Sequence, residues 1–212
     1  MRLVSEPIVV AIPNGQFQEN CYLVADGATG EAAIVDPGEE TAVFLAELER
    51  RSWRLTAIWL THAHLDHVIG VAAIHRATGA PIHLHPADRP LYDSLPQQGL
   101  WFGMQLDPAP APHQPLVAGQ TLTVGSVEFT VRETPGHSPG SISLVGPGVV
   151  LSGDALFAGS IGRTDLPGGD YHQLIDGIRR ELLTLPDDTI VYSGHGPDTT
   201  IGEERRSNPF LQ

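Results

Sequence analysis

The sequence predicts an α+β fold in which two β-sheets lie face to face with helices on the outside. Two observations predict it. Apolar strand-like runs occur in both halves of the chain, and helical patterns are interspersed between them. Two facing sheets covered by helices is the economical way to bury so many apolar faces. At 212 residues and 41% hydrophobic content, the chain is expected to form one domain over residues 1–212.

Strands are predicted first at Ile8–Ile12, Asn20–Ala25 and Glu31–Val35. A helix is predicted over Glu39–Arg51, with Phe44, Leu45 and Leu48 on one face. The apolar run Leu55–Leu60 reads as a buried strand, and Val68–Ile74 as the first turns of a packed helix. A short strand, Pro81–His85, and a helix, Ala87–Leu95, follow. Gln97–Ala118 is rich in proline and carries Trp101 and Phe102, so it is predicted as a surface loop or a lid. Strands resume at Thr121–Val124, Val127–Glu133, Ser141–Val145 and Val149–Leu151. The last clear helix begins at Asp170, placed to cap it, with Gln173 in the capping-box position. Leu174, Ile175, Ile178, Leu182 and Leu185 form its buried stripe. Thr189–Tyr192 is the final strand.

Composition removes several function classes. The net charge is −13 and every permanent cation is arginine, which excludes lysine Schiff-base chemistry. An acidic chain without a basic stripe predicts no nucleic-acid partner. No apolar run approaches the roughly 20 residues of a membrane span, and Met1–Pro7 carries no signal-peptide core, so the expected location is the cytoplasm. The single cysteine, Cys21, excludes an internal disulfide and reads as a buried small hydrophobe.

The chemistry is concentrated in His62-Ala63-His64-Leu65-Asp66-His67. These residues occupy a strand-to-helix turn, where loops carry function. In an extended turn His62 and His64 point the same way, while Asp66 and His67 open the helix and approach from a second direction. That arrangement suits two neighbouring cations. Gly136-His137, Gly153-Asp154 and Gly194-His195 repeat one design, a ligand beside a glycine after a strand. Asp36, in an Asp-Pro-Gly turn, reads as a turn or supporting residue, and His75, His83, His85, His113 and His172 as surface or packing histidines.

The pattern Thr61-His62-x-His64-x-Asp66-His67, followed by Gly136-His137, Gly153-Asp154 and Gly194-His195, resembles the metallo-β-lactamase superfamily over nearly the whole chain. Gly153–Phe157, Gly162-Arg163-Thr164-Asp165 and Thr199–Phe210 look like the short glyoxalase II-like hydrolases. The resemblance implies an αββα sandwich with its site at one edge of the sheets. It assigns His62, His64 and His137 to one metal, Asp66, His67 and His195 to a second, and Asp154 to both. The implied cofactors are two divalent metal ions, zinc first, with iron and manganese compatible with the same nitrogen and oxygen ligands.

The implied reaction is hydrolysis of a small-molecule thioester, glutathione-linked in glyoxalase II, by a hydroxide that bridges the two metals. A thiol leaves as thiolate without a strong acid, which fits a ligand set whose one catalytic carboxylate is Asp66. Larger glyoxalase II enzymes add a helical C-terminal domain and an aromatic after the equivalent of His195. Here Gly196-Pro197 follows, and the expectation is a substrate tail held differently. Two alternatives share the fold. One is a persulfide dioxygenase with a single iron on His62, His137 and Asp154; the other is a hydrolase of lactones or other esters. Arg163, in a glycine-spaced loop after Asp154, is a candidate substrate contact, with an ion pair to Asp165 or Asp170 as the equal alternative.

Overall fold

The computed structural model describes residues 6–212; Met1–Ser5, read above as carrying no leader, lie outside the described residues. Six strands form the first sheet, in the order β1 (Ile8–Asn14), β2 (Glu19–Ala25), β3 (Glu31–Val35), β4 (Arg54–Trp59), β5 (Ile82–Leu84) and β6 (Gln114–Pro115). β1 to β3 pair antiparallel and β3 to β6 pair parallel. The next strands are β7 (Thr121–Val124), β8 (Val127–Glu133), β9 (Ile142–Gly146) and β10 (Val149–Gly153). β11 (Leu156–Phe157) and β12 (Ser160–Ile161) make a small hairpin, and β13 (Ile190–Ser193) and β14 (Thr199–Thr200) complete the set. The second sheet runs β14-β13-β10-β9-β8-β7, with β10 and β13 parallel and its other pairs antiparallel.

Seven α-helices flank the sheets: α1 (Thr41–Arg51), α2 (Leu65–Val68), α3 (Val71–Thr78), α4 (Arg89–Asp93), α5 (Leu95–Trp101), α6 (Tyr171–Gly177) and α7 (Ile201–Ser207) among the described residues. Alternation along the strands explains the layering. In β2, Tyr22 and Val24 face the second sheet and pack with Trp59, Phe129, Val131 and Leu144. Cys21, Leu23 and Ala25 face the other way, against Phe44, Leu48, Val71 and Ile74 of α1 and α3. On the far face of the second sheet, Val150 and Val191 pack with Leu174, Ile178 and Ile201. This is the αββα sandwich. Because β2 is buried on both faces, all seven of its residues are buried. No helix among the described residues is long and apolar enough to cross a membrane.

Several elements differ from the sequence expectation. The helix expected over Ala87–Leu95 is a 3-10 turn, Pro86–Asp88, followed by α4, and Leu95 already opens α5. The helix after the histidine cluster is two helices, α2 and α3, interrupted at Gly70. There the backbone N–H donates to the Pro37 carbonyl at 2.9 Å, and a Cβ would collide with the Gly38 carbonyl oxygen. Gln97–Ala118 is not loop throughout, since α5 runs to Trp101. The helix capped by Asp170 regularly spans only Tyr171–Gly177 and continues as a wider π turn over Ile178–Leu182. It is also not the last helix. α7 follows, with Thr200 Oγ1 accepting from the Glu203 N–H at 3.2 Å, a capping signal present in the sequence.

Candidate metal centre

Four strand ends meet at one edge of the sandwich. β4 leads into Thr61–His67, β8 into Thr134–His137, β10 into Asp154 and β13 into Gly194-His195. Three backbone bonds hold these ends together: Ile142 N–H to Thr61 O at 2.9 Å, Gly194 N–H to Gly153 O at 2.9 Å, and Asn20 N–H to Gly194 O at 2.8 Å. Gly194 lets the centre close. A Cβ there would collide with Asp154 Oδ1 and stand 2.8 Å from His67 Cε1.

The sequence-predicted ligands all arrive here. One group, His62, His64 and His137, has ligand atoms within 4.8 Å of one another, and so has a second, Asp66, His67 and His195. Asp154 lies between them. Its Oδ1 is 3.4 Å from His67 Nε2, and its Oδ2 is 3.5 Å from His137 Nε2 and 3.6 Å from His195 Nε2. Asp66 Oδ2 is 3.2 Å from His195 Nε2 and 3.7 Å from His67 Nε2.

Asp36, the turn residue, orients both groups from behind. It sits at a positive φ of 52°, and its Oδ1 accepts from the Thr61 N–H at 2.7 Å. Its Oδ2 accepts from Thr61 Oγ1 at 2.6 Å and from His67 Nδ1 at 3.1 Å. With its own proton given to Asp36, Thr61 Oγ1 accepts from His62 Nδ1 at 3.1 Å. His137 Nδ1 donates to the Arg163 carbonyl at 2.8 Å. Hydrogen bonds on the outer ring nitrogens leave Nε2 of His62 and His67 facing inward without one, while His137 Nε2 meets His64 Nδ1 at 2.8 Å; outer bonds of this kind are found behind metal-binding histidines. His62 Nε2, His67 Nε2 and Asp154 Oδ1 are buried without a hydrogen-bond partner. Buried polar atoms are rarely left so, and these donors fit divalent cations.

The two groups differ electrically. Burial, helped by the surrounding imidazoles, pushes His62 well below the ordinary histidine value and His64 to about 3. Burial acts the same way on His67, but Asp66, Asp154 and Asp36 outweigh it and raise that imidazole well above its usual value. Burial would raise Asp66, yet His67 and His195 hold it well below the carboxylate range.

Sequence reasoning missed several supporting residues. Asp88, fully buried, accepts from the Ala63 N–H at 2.9 Å, from Ser138 Oγ at 2.7 Å and from the Gly140 N–H at 2.6 Å. It thereby ties the His62–His64 turn to the His137 loop. Gln98 of α5 accepts from the Leu65 N–H at 2.9 Å and donates to the Ala63 carbonyl at 3.1 Å. Glu19, also buried, brings Oε1 within 3.8 Å of His67 Nδ1. Nothing in their spacing marks these residues. Arg163 lines the cleft, and its guanidinium holds Asp165 by two bonds of 2.7 and 2.8 Å. His75, His83, His85, His113 and His172 are in neither ligand group. Cys21 is a buried free thiol.

Comparison with known proteins agrees with this geometry. The profile of the Metallo-beta-lactamase superfamily matches residues 14–195. Hydroxyacylglutathione hydrolase GloC of Haemophilus influenzae is 42% identical over 204 residues, covering 94% of this chain and 96% of that protein. The crystal structure of BLEG-1 B3 metallo-beta-lactamase superposes with a TM-score of 0.90 at 41% identity, covering 97% of this chain and 100% of the other. That of TTHA1623 in a di-iron-bound form gives 0.88 at 43% identity, covering 96% and 100%.

Proposed function

The chain belongs to the metallo-β-lactamase superfamily, and on that premise we propose that this metallo-hydrolase cleaves a small-molecule thioester in the manner of glyoxalase II, with an S-2-hydroxyacylglutathione or a close analogue as substrate. The observation that carries the proposal is the set of buried atoms on His62, His67 and Asp154 that have no hydrogen-bond partner. On this reading His62, His64 and His137 hold one divalent ion, Asp66, His67 and His195 hold a second, and Asp154 serves both. Two such ions, zinc, iron or manganese, supply Lewis acidity toward the acyl carbonyl and a water that ionises near neutral pH. The similarity to GloC supports the thioester, and the di-iron form of TTHA1623 supports two metals.

The chain's own residues account for the rest. Asp66, with Oδ2 beside His195 Nε2, accepts the proton that the attacking water gives up. The water oxygen bonds to the acyl carbon, the C–S bond breaks, and its electron pair leaves on sulfur. A thiol of pKa about 8.5 departs as thiolate, so no acid is needed. The described residues lining the cleft include no lysine, cysteine or tyrosine. An amide would need its nitrogen protonated, which favours a thioester over a lactam. The expected partners are small molecules, neither nucleic acid nor membrane, and the expected compartment is the cytoplasm.

Metal analysis of protein purified without added metal, together with a screen of thioesters, lactones, β-lactams and glutathione persulfide, tests the reading. Two metals per chain and turnover of thioesters are expected. One iron per chain with oxygen uptake on the persulfide would overturn it in favour of a dioxygenase.

A further inference from the structure

We propose that the cleft selects a thioester carrying an apolar group of about aryl size beside the scissile C–S bond, seated on a wall formed by Phe17, Trp101 and Phe102. The proposal rests on the hydrolase reading above and names what its substrate must carry.

Trp101 is 69% exposed and Phe102 53%, and both line the cleft of about 290 Å³ that contains Asp66, Asp154 and His195. Single exposed apolar side chains need no explanation, but a contiguous apolar patch marks a binding surface. Here the patch is contiguous. Phe17 meets Phe102 edge to face at 4.9 Å between ring centroids.

The wall is fixed relative to the reacting atoms from two sides. Trp101 stands three residues after Gln98 on α5, so the two share a helix face. Gln98 grips the backbone of Ala63 and Leu65, within the turn that carries His64 and Asp66. Phe17 lies in the β1–β2 turn, and Glu19 at the start of β2 bridges to His195. The aromatic surface therefore belongs to the Asp66-His67-His195 side of the centre.

The rest of the lining offers little to an anionic tail. Arg163 is the one permanent cation among the described residues lining the cleft, and Asp165 already occupies the Nε–Nη2 edge of its guanidinium. Glutathione would bring two carboxylates to a single guanidinium whose bidentate edge is already taken. An aryl or branched alkyl group would bring an apolar face to three waiting rings, where aromatic pairs add to the burial of area. Selectivity on this reading comes from the apolar group.

The test is the hydrolysis of matched thioesters by the metal-loaded protein. The lactoyl and mandeloyl thioesters of N-acetylcysteamine vary the acyl half, and the lactoyl thioester of benzyl mercaptan varies the thiol half. Lactoylglutathione supplies the anionic tail. At least one aryl-bearing substrate is expected to exceed lactoyl-N-acetylcysteamine by about tenfold or more in kcat/KM, the scale of discrimination in an apolar pocket. The arm in which the gain occurs tells which half sits on the wall. In Trp101→Ala and Phe102→Ala the ratio should fall towards one, whereas Trp101→Phe should keep it. A loss of fold would lower all substrates together and leave the ratio intact. A parallel binding measurement uses the aryl thioether S-phenacyl-N-acetylcysteamine, read by tryptophan fluorescence that changes in the native protein and not in Trp101→Phe. Thioester hydrolysis without aryl preference, or a preference that survives in both alanine variants, overturns this inference and leaves the hydrolase reading standing. Thioether binding at Trp101 without hydrolysis of any thioester overturns the hydrolase reading and leaves the apolar subsite standing.

Discussion

Asp66 is the residue on which structure and chemistry depend most closely. It faces His195 at 3.2 Å and His67 at 3.7 Å, and these imidazoles keep it ionised despite its burial. It adds negative charge to one group while His62 and His64 of the other stay neutral far below their ordinary titration range. Asp66→Asn keeps the shape and removes the charge and, on the proposed mechanism, the proton acceptor. Its expected effect is a loss of about 10²–10⁴-fold in turnover, the range for general-base removal, with an unchanged circular dichroism spectrum. Turnover near the wild-type value at full metal loading would show that Asp66 has no essential part. The sequence shows Asp66 and its histidines plainly, since they are consecutive. It does not show that the outer nitrogens of His62 and His67 are satisfied through Thr61 and Asp36, because that relay crosses 25 to 31 residues of chain.

At the scale of elements, strand ends deliver ligands and buried polar side chains hold the delivering loops in register. Asp88 does this at the site. Asp26 does it at the other end of the sandwich, where β2 finishes. Its carboxylate accepts from the Ala28 N–H at 2.8 Å in its own turn and from the Ser126 N–H at 2.7 Å in the β7–β8 turn of the second sheet. Those backbone bonds, to Ser126 first and then Ala28, hold its pKa at about 2. A carboxyl depressed in the folded state stabilises above its unfolded value of about 3.9, and that contribution disappears as pH falls through the folded value. Asp26→Asn is expected to cost about 1–3 kcal/mol at neutral pH, as for a buried hydrogen-bonding group left short of its partners. In urea unfolding, the gap to wild type should narrow as pH drops from about 4 towards 2. A gap that stays constant over that range would assign the effect to something other than the charge.

Across the whole molecule, the candidate metal centre spans the two sheets. His62, His64, Asp66 and His67 follow β4 of the first sheet, and His137, Asp154 and His195 follow β8, β10 and β13 of the second. Ions bound there would act as a cross-link between the layers and offset part of the net charge of −13. A ligand at about 1,000 times its dissociation constant adds about 4 kcal/mol to stability. For a chain of this length that corresponds to about 10 °C in melting temperature. Chelator-treated protein should therefore melt lower by about that amount in calorimetry and recover on adding zinc. Equal melting temperatures with and without metal would place the ions outside the folded framework.

The sequence by itself determined the inner strands of both sheets, though not the two-residue edge strands β6 and β14, together with the apolar faces that stack them and the ligand-type side chains that follow strand ends. These features are local: alternation, a turn and a nearby histidine are all set within a few residues. Only the tertiary structure decided how the strand ends meet. His64 and His137, 73 residues apart, face each other at 2.8 Å, and Asp88 reaches Gly140 across 52 residues. It also decided that α5 occupies part of the expected loop, that α2 and α3 separate at Gly70, and that Arg163 pairs with Asp165. Those outcomes depend on which backbones approach within contact distance. No periodicity encodes that approach, because it is set by the packing of one sheet on the other.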